Sequence, residues 1–225
     1  MTASHPLDRA VLNALTSRQA RLGIAEGGVL RFDPAYATFA AAGPGATPED
    51  WAALVRATGP VALFETDPVI PTGLTETARI DCLQMTATAI TASGREVAFE
   101  ALTDADGPEM LALAALTQPG PFFSKTHLLG PFIGIRHEGR LVAMAGERLS
   151  LDGFSDVSGV CTHPDHRGHG HAGVLMRAVA QRILDRGDTA FLHARIGHAA
   201  TIAFYEALGF QPRSTPSYVV MDAVS

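Results

Sequence analysis

Two hairpin signals, Glu138-Gly139 and Asp152-Gly153, stand between three runs rich in apolar and β-branched residues: Phe132 to Arg136, Arg140 to Leu149 and Phe154 to Thr162. Short turns of that composition close antiparallel pairs, so the spacing predicts a three-stranded meander. The third run feeds Arg167-Gly168-His169-Gly170-His171-Ala172-Gly173. Beyond it, Val174, Leu175, Ala178, Val179 and Ile183 share one face of a helix that Gly187 ends. Val160 to Ala172 therefore reads as a strand end, a glycine-rich turn and a helix start. Glycine lets a ligand approach the backbone closely, and a helix start offers unpaired N–H groups at the positive end of its dipole. This is the pattern of a phosphate cradle.

After the helix, the pattern predicts a strand over Thr189 to Ala194, an amphipathic helix over Ala200 to Leu208 stopped by Gly209, and a closing strand over Tyr218 to Met221. Upstream, Leu7 to Arg21 reads as a helix, and Thr47-Pro48-Glu49-Asp50 as the start of another over Trp51 to Ala57. Val61 to Phe64, Ile80 to Thr86 and Val97 to Leu102 resemble strands. Asp106-Gly107-Pro108-Glu109 caps a helix through Leu116. The fold class is α/β in the α+β sense, a mixed and mostly antiparallel sheet flanked by helices. Residues 1–95 read as a smaller α/β domain and residues 96–225 as the domain that carries the motifs. Two halves of similar size leave room for a diverged repeat.

Several function classes are disfavoured. With 47% apolar residues the chain can bury a core, yet no apolar run approaches the roughly 20 residues of a membrane span. Met1 to Ala10 lacks the order of a secretory signal, so a cytoplasmic protein is expected, with no membrane partner. A net charge of −6 without a clustered basic face argues against nucleic acid. Cys82 and Cys161 lie far apart and suggest neither a disulfide framework nor a thiolate zinc site. Cys161 near His163 has no third group to orient a nucleophilic pair. His163, His166, His169 and His171 invite a metal hypothesis. They fall in a glycine-containing turn without an H-E-x-x-H helix, so no metal is expected.

Gly168, Gly170 and Gly173 also satisfy the dinucleotide fingerprint G-x-G-x-x-G. A dinucleotide fold expects an acid at the end of the next strand to hold the ribose, whereas this strand ends His193-Ala194-Arg195. The preceding strands are joined by hairpins instead of crossovers. A nucleotide-dependent oxidoreductase remains the lesser alternative.

The arrangement resembles the GCN5-related N-acetyltransferase (GNAT) superfamily, whose pyrophosphate motif R/Q-x-x-G-x-G/A is met by Arg167, Gly170 and Ala172. Val160-Cys161-Thr162-His163-Pro164 looks like the family's central strand end, and Phe191 to Ala194 like the strand that splays from it. Phe204-Tyr205-Glu206-Ala207-Leu208-Gly209-Phe210 looks like its tyrosine-containing signature. With an extra N-terminal region, the chain looks like the FR47-like branch. One departure is His198, where the family often has Asn.

The resemblance implies an N-acetyltransferase that uses acetyl-CoA as cosubstrate, with a small-molecule amine or an amino-acid-like acceptor and room for a homo-oligomer. Implied cofactor-binding residues are Val160, Cys161, Thr162, Arg167, Gly168, His169, Gly170, His171 and Ala172. Acyl transfer needs a neutral amine, a polarised carbonyl and a proton for the departing thiolate. Tyr205 is the expected acid, since a phenol of pKa about 10 can protonate a thiolate whose conjugate acid is near 8.5. Glu147, among small and apolar neighbours on the adjacent strand, is the expected base. A CoA-binding sensor without turnover is the other alternative.

Overall fold

A computed structural model describes residues 5–92 and 96–224. Three short strands, β1 (Gly23–Glu26), β2 (Val29–Phe32) and β3 (Ala40–Ala42), form a small antiparallel sheet. The main sheet has nine strands. Its upstream members are β4 (Val61–Glu65), β5 (Leu74–Ala87) and β6 (Glu100–Leu102). The meander supplies β7 (Phe132–His137), β8 (Arg140–Leu151) and β9 (Phe154–Thr162), followed by β10 (Thr189–Arg195), β11 (Gln211–Ser214) and β12 (Ser217–Ala223). Their order is β4-β12-β5-β10-β9-β8-β7-β6, with β11 beside β5, and β10–β9 is the parallel pair in an otherwise antiparallel sheet.

Five α-helices flank it: α1 (Ala10–Leu15), α2 (Pro48–Thr58), α3 (Gly107–Thr117), α4 (His171–Asp185) and α5 (Ala199–Leu208). Leu175, Met176, Val179 and Ile183 of α4 pack with Ala143, Ala145, Val157 and Leu192 on one sheet face. Val11, Ala14 and Leu15 of α1 pack with Phe64, Leu149 and Phe191 on the other. Fully burying side chains of this size contributes about 1.5–3 kcal/mol each.

The meander has the predicted order, and Glu138 and Gly139 both take the left-handed backbone of a tight hairpin, at φ 51° and 79°. Thr47 caps α2 as predicted, with its hydroxyl accepting from the Asp50 N–H and the Asp50 carboxylate accepting from the Thr47 N–H. The expected helix over Leu7 to Arg21 is broken into a 3₁₀ turn at Pro6–Arg9, α1, and another 3₁₀ turn at Ala20–Leu22. Thr16 and Ser17 turn their hydroxyls back onto the carbonyls of Leu12 and Asn13, which offers the backbone an alternative to continued helix.

The sheet crosses the expected boundary near residue 95, because β4 and β5 sit between and beside strands from the C-terminal end. Buried Gln19 ties the two parts further: its amide donates to the carbonyls of Leu129 and Arg148 and accepts from the Ser150 N–H. Among the described residues no helix is long and apolar enough to cross a membrane.

Candidate active site

The parallel pair at the centre of the sheet is short. β10 meets β9 at Thr189↔Phe154, Ala190↔Ser155 and Phe191↔Asp156, and no pairing continues toward Arg195 and Thr162. From Val157 onward the edge of β9 facing β10 has backbone groups with no neighbouring strand. On its other side β9 carries a bulge, since its register with β8 jumps from Gly146↔Ser158 to Met144↔Cys161. Gly159, at φ 64°, makes that bulge; a Cβ there would stand 2.7 Å from the Phe132 ring. A bulge re-aims the backbone groups beside it, here at the mouth of the gap.

One cleft, about 570 Å³ in volume, opens where β9 runs into α4. Val160, Cys161, Thr162, Arg167, Gly168, Gly170, His171 and Ala172 all line it, together with Tyr205 from α5. His169, also expected there, is not in the lining; its ring lies against His171 and its Nδ1 lies 3.2 Å from the His166 carbonyl oxygen. Gly168 and Gly170 have left-handed φ of 79° and 75°, a conformation that glycine adopts without steric cost. Gly170 is the N-cap of α4 and no side chain caps that end, so the first N–H groups of the helix remain available to a ligand. Arg167 is exposed and makes no ion pair among the described residues. His198 precedes α5, where its carbonyl accepts from Thr201 and Ile202.

A second cleft, of about 130 Å³, lies on the sheet face opposite α4 and α5. Phe39, Phe64, Ile80 and Cys82 wall it from the first 95 residues, facing Arg148, Val160, His193, Arg195, Tyr205 and Tyr218. Val160 and Tyr205 line both clefts, which therefore meet at the gap between β9 and β10. Tyr205 is half-buried and packs against the core beneath α4, and its hydroxyl makes no hydrogen bond among the described residues. Burial raises its pKa above the usual phenol value, and the charge of Asp156 acts in the same direction.

At the floor of the second cleft Arg148 is held by Asp156, with both Nε and Nη2 2.9 Å from Oδ2. His193 Nδ1 lies 3.6 Å from Asp156 Oδ1. Gln84 accepts from Arg213 through its carbonyl oxygen, so its amide nitrogen is the donor to His193 Nε2 at 3.1 Å. That leaves the His193 proton on Nδ1 and both ring nitrogens directed at protein. A second proton on Nε2 would face the Gln84 amide, and burial lowers the pKa of His193. Burial pushes the thiols of Cys82 and Cys161 up to about 11, which keeps both protonated near neutral pH.

Glu147, the expected base, lies away from both clefts. It is buried on the α4 side of β8, accepting from Arg182 Nε at 3.1 Å and from Arg186 Nη1 and Nη2 at 3.0 and 2.7 Å. It lines neither cleft. Side chains alternate across a strand, so the next residue, Arg148, is the one that reaches the second cleft. The Glu147 contact raises the Arg186 pKa. Glu147→Ala is expected to cost about 2 kcal/mol, below the roughly 3–5 kcal/mol of a fully buried broken pair because both arginines are partly exposed. That is a fall of about 4–8 °C in Tm, measured by thermal melting, with turnover per folded molecule within about twofold. Lost turnover at unchanged Tm would restore the base.

Gly173, Thr201 and Phe204 also line the first cleft, and Arg148, His193 and Arg195 the second; none was singled out from sequence as a site residue. Period-two alternation along Phe191–Arg195 is the signal that would have found His193 and Arg195. Among the described residues no three His, Cys, Asp or Glu side chains converge as metal ligands would.

Residues 132–219 match the family model described as FR47-like protein. A search of curated proteins finds no match. Among solved structures, a GNAT-family protein from Novosphingobium aromaticivorans DSM 12444 is 40% identical, with 99% of this chain and 100% of that one covered and a TM-score of 0.90. A GCN5-related N-acetyltransferase from Kribbella flavida is 18% identical over 96% of this chain and 94% of its own, with a TM-score of 0.60. A GCN5-related N-acetyltransferase-like protein from Streptococcus suis 89/1591 is 16% identical over 95% and 93%, with a TM-score of 0.55. The last two share the fold. The first matches essentially end to end at an identity that carries family membership, and with the splayed strands and glycine-rich turn already in place, the chain belongs to the GNAT family.

Proposed function

We propose that the chain is an N-acetyltransferase that moves an acetyl group from acetyl-CoA to a primary amine by direct attack. One observation carries this reading: two clefts on opposite sheet faces meet at Val160 and Tyr205, where β9 and β10 part. A thioester reaching the gap from one side would meet an amine reaching it from the other, the proximity that acyl transfer requires.

The first cleft suits CoA. Its pyrophosphate would rest on the N–H groups from Gly168 to Ala172 with Arg167 adding charge, and its pantetheine amides would pair with the open edge of β9 at Val160 and Thr162. A backbone N–H near Val160 would polarise the thioester carbonyl. The amine nitrogen bonds to the carbonyl carbon, the C–S bond breaks, and Tyr205 gives its proton to the departing thiolate. The proton shed by the amine returns to the phenolate through water, since Glu147 stands off and His193 is turned toward protein. Residues before 95 contribute a wall of the acceptor cleft, in keeping with a role in specificity.

The test is a panel of primary amines with acetyl-CoA, read out as free thiol. Amine-dependent release of thiol is expected. Tight CoA binding without release for any amine would favour the alternative of a CoA-binding sensor.

A further inference from the structure

The second cleft holds more information than its position. Its enclosed end is an interlocked aromatic box: Phe39 and Phe64 stack with centroids 5.7 Å apart, and Tyr218 meets both edge-on at 5.9 and 5.8 Å. Most polar groups around the box are engaged. The Tyr218 hydroxyl bonds Thr38 Oγ1 at 2.8 Å, Arg148 is neutralised by Asp156 and lies over the Phe39 ring, and His193 Nε2 accepts from Gln84, while His193 Nδ1 and Asp156 Oδ1, 3.6 Å apart, are buried without a hydrogen bond among the described residues. An apolar group can pack against the cleft side of these rings, whereas a second ammonium would lose hydration beside the Arg148 guanidinium.

Arg195 differs from these. It ends β10 on the same strand face as His193, opposite Cys82, and borders both the cleft and a broader groove outside it. It is exposed, and its guanidinium makes no hydrogen bond or ion pair among the described residues. No Asp or Glu appears among the described lining residues of the cleft or of that groove. An incoming amine therefore meets one uncompensated guanidinium. A diamine or polyamine would be repelled, whereas an acceptor bearing its own anion would be drawn in.

We infer that the acceptor is an amine carrying a carboxylate, an α-amino acid with an apolar side chain, whose carboxylate pairs with Arg195 while its side chain enters the Phe39–Phe64–Tyr218 box. This rests on the acyl-transfer reading of the same cleft. A guanidinium binds a carboxylate through two parallel N–H donors, and a partly solvated charged contact of this kind corresponds to a preference on the order of 10- to 100-fold.

The experiment compares alanine, leucine and phenylalanine with ethylamine, 3-methylbutylamine and phenethylamine as acceptors. In parallel, calorimetry in the presence of CoA compares binding of N-acetylleucine with N-acetyl-3-methylbutylamine. Leucine or phenylalanine should exceed its decarboxylated partner at least tenfold in kcat/KM, and N-acetylleucine should bind at least tenfold tighter than its partner. Arg195→Gln should shrink both preferences below threefold, mainly through acceptor KM, and Arg195→Lys should restore part of them. Unchanged CoA affinity checks that both variants are folded. Equal binding of the two acetylated compounds by the native protein, or a preference that survives Arg195→Gln, would overturn the inference. Carboxylate-selective binding without turnover of any amine would uphold the Arg195 site and sink the transferase reading instead.

Discussion

Tyr205→Phe is expected to lower kcat about 100-fold or more while leaving the affinity for acetyl-CoA within about threefold. A positioned acid contributes typically 10²–10⁴-fold, and Tyr205 is the titratable side chain that lines both clefts where they meet. Phe keeps the ring that packs beneath α4 and removes only a hydroxyl that has no hydrogen-bond partner among the described residues, so the fold is little disturbed. The raised pKa fixes the sign of the pH dependence. In the proposed reaction the acid is the protonated phenol, and a pKa above the usual value holds that proton to higher pH. The alkaline limb of the native profile should therefore not fall before about pH 10, and the variant should lack a limb from this group. Stopped assays of thiol release from pH 6 to about 11, with CoA binding measured by calorimetry, check both points. Unchanged kcat in the variant would remove Tyr205 from the mechanism.

Gly170→Val is expected to raise the KM for acetyl-CoA about 30-fold or more with a smaller change in saturated kcat. Gly170 holds φ 75° at the N-cap of α4. Placing a β-branched residue there costs about 1–3 kcal/mol or displaces the turn. Displacement rotates the N–H groups that would receive the pyrophosphate, so strain appears as lost affinity. Gly187, at φ 83° past the other end of α4, is the control. It has the same backbone demand with no ligand nearby, so Gly187→Val should lower Tm and leave the acetyl-CoA KM within about twofold. Equal KM effects at the two positions would show that the turn at Gly170 does not bind the cosubstrate.

The parts of this molecule legible in its sequence are those whose physics is local. Hairpin turns declare themselves by residues that tolerate left-handed backbone, α4 by its apolar stripe, and the cradle by glycines at a strand–helix junction. Tyr205 drew attention through its place in a contiguous signature on α5, and it lines the first cleft. The second cleft was not, because Phe39, Phe64, Cys82, Arg148, His193 and Tyr218 come from separate segments that only the sheet order brings together. β5 is the clearest case. Read as a short strand of an upstream unit, it runs over 14 residues and pairs with β10 on one side and with β12 and β11 on the other. Glu147 stands apart from both clefts for a different reason. Strand alternation decides between it and Arg148, and β8 carries register shifts on both sides of Glu147 that hide the parity from a sequence reading.

The parting of β9 and β10 also constrains the order of events. Because the two clefts reach the gap from opposite faces, neither substrate has to pass the other on the way in, and neither product blocks the other on the way out. For the proposed reaction this predicts binding in either sequence to a ternary complex. Initial-rate plots at several fixed concentrations of the second substrate would then intersect instead of running parallel, as they would for an enzyme that stored the acetyl group on one of its own side chains.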